Sequence, residues 1–266
     1  MTQILCDIFN AILEVKYVPS LWKKSIIVPI HKGNNKPKAD PNSYRPVSLL
    51  CTIFKVFEKI IHDRIQSFIL SNEHFENAHQ QGYQKSLSCT TASFVLQETI
   101  YYNIENKSNV YSAFLDSTKA FDSVWRQGLM VKLNKLGIIG KLWSIIDDCH
   151  IDTHSAIVVN GCMSKWFNVE QGVRQGGVLS GFLYSVFIND LLIELNNASK
   201  NMGILNTKIS NPTLADDIAL LSLTPAGLQM LLNVAYEYSC KWRFNFSAEK
   251  SNVVIFRDNN KKVFSN

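Results

Sequence analysis

Charged side chains are scarce in this sequence, at 18% of 266 residues against 46% hydrophobic. Such a composition excludes a disordered chain and supports a sizeable core, in one large domain or two closely joined lobes. The six cysteines, Cys6, Cys51, Cys89, Cys149, Cys162 and Cys240, include no C-x-x-C pair and no recognisable zinc spacing. Buried free thiols in a reducing compartment are therefore expected. A long unbroken apolar run is also missing. The longest uncharged stretch, 218–236, approaches the roughly 20 residues of a membrane helix, but Ser222, Thr224, Pro225, Gly227, Gln229 and Asn233 interrupt it. No internal repeat or low-complexity tract is present. Asp7 and Glu14 in the amphipathic first helix, read over 1–15, argue against a signal peptide. An intracellular protein without membrane attachment of its own is expected, with nucleus and cytoplasm undistinguished.

The net charge of +5 is modest but unevenly placed. Lys23, Lys24, Lys32, Lys36, Lys38 and Arg45 crowd one segment, and Lys261 and Lys262 sit near the end, which permits a polyanionic partner. Hydrophobic periodicity predicts helices over 52–70, 90–104, 125–136 and 178–195, with Gly137 as a C-terminal stop. Short strands are predicted at 25–30, 110–115, 203–209, 212–221 and 253–256. A hairpin is expected where 153–159 and 162–168 flank Asn160-Gly161, a pair suited to left-handed torsions. Thr224 and Pro225 supply an N-cap and first-turn proline for a helix reaching about Cys240. Gly33, Pro37, Pro41 and Pro46 read as breakers in a basic loop. The mixture of helices and antiparallel strands is an α+β plan.

Three segments carry chemistry. In F-L-D-S-T-K-A-F-D, Asp116 follows a buried apolar strand, where a carboxylate is poorly solvated unless a cation or hydrogen-bond donors receive it. Taken alone, it could equally end a strand or cap a helix. In T-L-A-D-D-I-A-L-L, the adjacent Asp216 and Asp217 interrupt an apolar double run. They are either turn formers or hard oxygen ligands whose mutual repulsion divalent ions relieve. Between these segments, Q-G-V-R-Q-G-G-V-L-S is a glycine-rich turn entering a helix, with backbone that can approach a nucleotide or template closely.

In this order and spacing, the segments resemble motifs A, B and C of reverse transcriptases from non-LTR, LINE-type retrotransposons. Y-R-P-V-S-L-L from Tyr44 and Q-G-Y-Q-K from Gln81 resemble that family's fingers motifs, and the stretch from Phe246 through Lys250-Ser251 to Phe256 resembles motif D. The resemblance covers nearly the whole chain. It implies a polymerase right-hand fold, with fingers over 1–109, palm over 110–258 and a polar tail at 259–266. The implied activity is RNA-directed DNA synthesis from an RNA template, a DNA primer and deoxynucleoside triphosphates, using two Mg²⁺ or Mn²⁺ ions. Asp116, Asp216 and Asp217 would be the catalytic, metal-binding triad. Phe121 would be the steric gate against a ribose 2′-hydroxyl, Arg45 and Lys85 would hold the triphosphate, Gln175 would contact template or nucleotide, and Lys250 would donate a proton to pyrophosphate.

This sequence departs from the family pattern in three places. Leu214 replaces an aromatic before A-D-D, and Gly181 replaces a proline after L-S. The chain also stops before the expected primer grip and thumb, with no recognisable endonuclease. A fragment of a longer element protein is therefore expected. The alternatives are a non-catalytic nucleic-acid-binding remnant of the same domain and an RNA-copying RNA polymerase, which Phe121 disfavours.

Overall fold

A computed structural model of the chain describes residues 2–33, 35–72, 80–83, 87–201 and 211–257. Spatial proximity divides the chain into two compact units, 1–76 with 124–184 and 77–123 with 185–266. Each has its own sheet.

The first unit contains α1 (Thr2–Val15), β1 (Lys24–His31), β2 (Tyr44–Leu49), α2 (Thr52–Asn72), α4 (Arg126–Lys135), α5 (Gly140–Asp148), β4 (His154–Val159), β5 (Cys162–Met163) and β6 (Phe167–Asn168). Its sheet runs β2-β1-β4-β5, with β6 also on β4. The β1–β2 ladder is antiparallel and the β1–β4 ladder parallel. The Asn160-Gly161 turn joins β4 to β5 with both residues at positive φ, 50° and 79°, as the sequence predicts. Phe9, Trp22, Phe54 and Phe57 gather in the core with ring centroids 5.3–6.3 Å apart. Gly137 ends α4 at φ 81°.

Pro46 reads as a breaker in the sequence, yet it lies within β2. That strand is at the sheet edge, where a missing N–H breaks no second ladder, and Pro46 sits opposite Pro29, which lies beyond the stretch of β1 paired with β4. The turn leading into β2 is tied by its own side chains. Tyr44 donates its hydroxyl to the Lys38 carbonyl at 2.9 Å, Lys32 Nζ donates to the Asn42 carbonyl at 2.8 Å, and Asp40 Oδ1 accepts from Asn42 N at 2.9 Å.

The second unit contains α3 (Cys89–Glu105), β3 (Val110–Asp116), β7 (Thr213–Leu214), β8 (Asp217–Ser222), α7 (Pro225–Trp242) and β9 (Asn252–Phe256); the unit boundary falls within α6 (Ser180–Asn201). Its sheet is antiparallel, in the order β7-β8-β3-β9. Ile100 of α3, Val110 and Leu221 form a buried cluster, and Tyr238 of α7 donates to the Phe187 carbonyl at 2.9 Å. Thr224 caps α7 as expected, accepting from Gly227 N at 3.0 Å. The strand predicted at 203–209 lies outside the described residues.

The six cysteines are all free, as expected, but only Cys149 is buried; Cys6, Cys89, Cys162 and Cys240 are exposed. Scattered spacing argues against pairing but carries no information about depth. No helix among the described residues is long and apolar enough to cross a membrane.

Candidate functional site

In the β3–β8 ladder Asp116 stands opposite Asp217. The β7–β8 ladder pairs Leu214 with Asp217, leaving Ala215 and Asp216 as a two-residue turn. Apolar residues bury both strands: Ala113, Leu115 and Ile218 through Leu221 are each less than 9% exposed. The ends of the strands emerge together, bringing the acids of two distant segments to one edge of the sheet. Ala215 adopts φ 56°, a left-handed conformation costing about 1–2 kcal/mol for a residue with a Cβ. Leu214 occupies the position before A-D-D and lines a cavity of about 340 Å³ with Asp116, Asp217, Lys250, Phe114 and Leu96.

The Asp217 carboxyl is held above the ordinary aspartate range, first by partial burial and then by the charges of Asp216 and Asp116, while Lys250 pulls it down. Lys250 Nζ donates to Asp116 Oδ2 at 2.8 Å. The loop bearing Lys250 is anchored against the end of β3: Ser247 N donates to the Asp116 carbonyl at 2.8 Å and Thr118 N to the Asn245 carbonyl at 2.9 Å. Among the described residues, no three His, Cys, Asp or Glu side chains gather closely enough to form a metal-holding group. The donor chemistry nevertheless suits a divalent cation, because the charges of Asp216 and Asp116 raise the proton affinity of Asp217, and a positive ion would relieve that repulsion at hard carboxylate oxygens.

Phe121 is half-buried and meets the Tyr83 ring edge-on, centroids 5.9 Å apart at 79°. The Tyr83 hydroxyl is pushed up to about 12 by burial and by the charge of Asp216. Tyr83 thus links the gate candidate to the acidic turn. The fingers resemblance included this residue without giving it a role, and its isolated position in sequence offered no signal. Gln80, which precedes the quoted motif, was missed for the same reason; it is 1% exposed and bonds to the Ala215 backbone.

Arg45 and Gln175 belong to the first unit. Arg45 is exposed on β2. The carbonyl of Gln175 accepts from Ser48 N at 2.7 Å, giving edge strand β2 a partner. Gly176 takes φ 126°, and a Cβ there would lie 2.4 Å from the Ser48 carbonyl oxygen. At Gly176, the close approach permitted by glycine is therefore to the chain's own strand. Glu58 Oε2 accepts from Val178 N at 2.9 Å, and its carboxyl lies above its usual range chiefly through burial. Arg174, 8% exposed, donates to the Cys149 carbonyl at 2.7 Å and stacks 5.2 Å from the Phe54 ring centroid. Lys85 lies outside the described residues.

Residues 33–263 match the family model for reverse transcriptase (RNA-dependent DNA polymerase). The chain is 31% identical over 255 residues to a probable RNA-directed DNA polymerase from transposon BS of Drosophila melanogaster, covering 93% of this chain and 27% of that protein. It is 31% identical over 265 residues to the RNA-directed DNA polymerase from mobile element jockey of the same species, covering 96% and 28% respectively. The chain thus spans about a quarter of the length of these relatives. Among solved structures, apo telomerase from Candida tropicalis truncated from its C-terminal domain superposes with a TM-score of 0.60 at 12% identity, covering 92% of this chain and 54% of that one. That likeness establishes the right-hand polymerase fold.

Proposed function

Because the chain belongs to the reverse transcriptase (RNA-dependent DNA polymerase) family, we propose that it forms the fingers and palm of a non-LTR retrotransposon polymerase that copies an RNA template from a DNA primer. The observation that carries this reading is the pairing of Asp116 with Asp217, with Asp216 in the adjoining turn. Asp116, Asp216 and Asp217 would hold the divalent cations, two Mg²⁺ or Mn²⁺ ions. When bound, these would lower the pKa of the primer 3′-hydroxyl and neutralise the triphosphate.

The chain's own residues provide positioning and charge. Lys250, in contact with Asp116 Oδ2, is a cation on a long stem that can turn toward the pyrophosphate leaving group and supply its proton. For Arg45, Lys85 and Gln175, a nucleotide contact rests on motif resemblance alone. Primer extension on an RNA template, with deoxynucleotides and Mg²⁺ or Mn²⁺, tests the reading. No incorporation by this chain, either alone or joined to the rest of its element protein, would overturn it.

Phe121 is proposed as the sugar gate, with Tyr83 as the ring that holds it. Phe121→Ala is expected to raise incorporation of ribonucleotides relative to deoxyribonucleotides by about tenfold or more, because the steric penalty against the 2′-hydroxyl disappears. Single-nucleotide incorporation kinetics measure this ratio. An unchanged ratio in a folded, active variant would make Phe121 a packing residue only.

The basic segment from Lys32 to Arg45 is proposed to contact nucleic acid through phosphates. Replacing Lys32, Lys36 and Lys38 together by Gln is expected to reduce the slope of log affinity against log salt by about 2, since single-strand contacts contribute about 0.7 each. Fluorescence anisotropy between low and high salt reads the slope directly. A parental slope would show that these lysines make no phosphate contacts.

A further inference from the structure

Gln80 carries its amide into the turn between β7 and β8. Oε1 accepts from the N–H groups of Gly82 and Ala215, each at 2.7 Å, and Nε2 donates to the Ala215 carbonyl at 2.9 Å. The flanking backbone is joined as well: Gln80 forms a parallel bridge with Thr213, and Gln81 N donates to the Thr213 carbonyl at 2.8 Å. A Cβ on Gly82 would lie 2.5 Å from Ala215 N. Only glycine lets the two segments meet this closely.

The pattern of these bonds gives them their consequence. The N–H of Ala215 belongs to the peptide plane shared with Leu214, and its C=O belongs to the plane shared with Asp216. One side-chain amide therefore holds both planes flanking a left-handed alanine at φ 56°. A two-residue turn favours glycine at such a first position. With alanine there, the conformation needs external support, and the direction in which Asp216 leaves the turn depends on it.

We propose that Gln80 is a positioning residue whose amide sets the two peptide planes around Ala215 and thereby aims the carboxylates of Asp216 and Asp217. This rests on the metal-assisted polymerase reading of those acids. Gln80 itself is buried and acts through the turn.

Mn²⁺ binding to the chain, followed by electron paramagnetic resonance, is the primary test, with Gln80→Met as the variant because methionine fills similar space without bonding. The expected result is a cooperatively melting protein with about tenfold weaker Mn²⁺ binding. In primer extension, kcat should fall about a hundredfold at near-constant nucleotide KM, as expected for misplacement of about 1 Å. Parental Mn²⁺ affinity in the folded variant would overturn the proposal. Should Gln80→Met fail to fold, Gln80→Glu decides: it keeps the acceptor but loses the donor to Ala215, and about a threefold loss of Mn²⁺ affinity is expected against none if the idea is wrong. In the unaltered chain, the amides of Gly82 and Ala215 should be protected from hydrogen exchange, and unprotected rates would also overturn it. If the unaltered chain makes no DNA either alone or joined to the rest of its element protein, the polymerase reading fails, whereas the Mn²⁺ and exchange measurements still judge the clamp.

Discussion

Asp216→Asn is expected to abolish RNA-templated DNA synthesis, lowering the rate about a thousandfold or more, while the chain still folds. The same outcome is expected for Asp116→Asn and Asp217→Asn. On the proposed reading, each would remove a negative oxygen ligand from a site whose contribution to the rate is the charge it gathers. Stability should move the other way at Asp217. Its carboxyl is raised above the ordinary value of 3.8 in the folded chain by burial, Asp216 and Asp116. Between 3.8 and that raised value, the folded state binds more protons than the unfolded one. This group's contribution to folding therefore improves as pH falls through that window and is unfavourable at neutral pH. Asp217→Asn should accordingly melt at the same temperature as the parent or higher at pH 7, with the gain shrinking as the pH is lowered. A folded Asp216→Asn protein with near-parental synthesis would remove the triad from the mechanism. An Asp217→Asn chain that melts well below the parent at neutral pH would show that the carboxylate has a structural partner.

Gly176→Ala is expected to destabilise the first unit severely, by on the order of 3 kcal/mol. Its Cβ would lie 2.4 Å from the Ser48 carbonyl oxygen, and the backbone is at φ 126°, where a side chain is strained whatever the space. Because the obstacle is backbone of β2, it cannot swing aside. Gly161→Ala provides the internal control. Gly161 also has positive φ, 79°, but none of the described residues comes within 4 Å of the point where a Cβ would stand, so only the torsional cost of about 1 kcal/mol applies. Chemical denaturation of the two variants separates strain from collision. Equal losses would mean that the turn does not press on β2.

Much of this site was legible because chemistry and periodicity disagreed locally. Asp116 follows a strand whose apolar residues leave a carboxylate no comfortable place except an edge. Asp216 and Asp217 interrupt a second such run. Asn160-Gly161 and Thr224-Pro225 were equally readable, because their torsional and capping preferences act over a few residues and neighbours do not overrule them. Strand β2 was not readable: its proline and the basic stretch leading into it argue for a loop, and what makes it a strand is its place at the edge beside β1, with Gln175 supplying an acceptor for Ser48 N. Helix α5, which begins at Gly140 with φ 65°, also escaped a reading based on apolar period.

The sequence by itself determined the acids, their order and the apolar strands that carry them, since residue type and spacing-two burial are local properties. Tertiary structure alone decided which side chains stand around them. Gln80 reaches Ala215 across 135 positions, as Lys250 reaches Asp116 across 134, and separations of that length leave no periodic trace in the chain. The same holds for Tyr83 against Phe121 and Asp216. Such contacts depend on strand register, which is fixed only when the apolar residues of β3 and β8 are buried together.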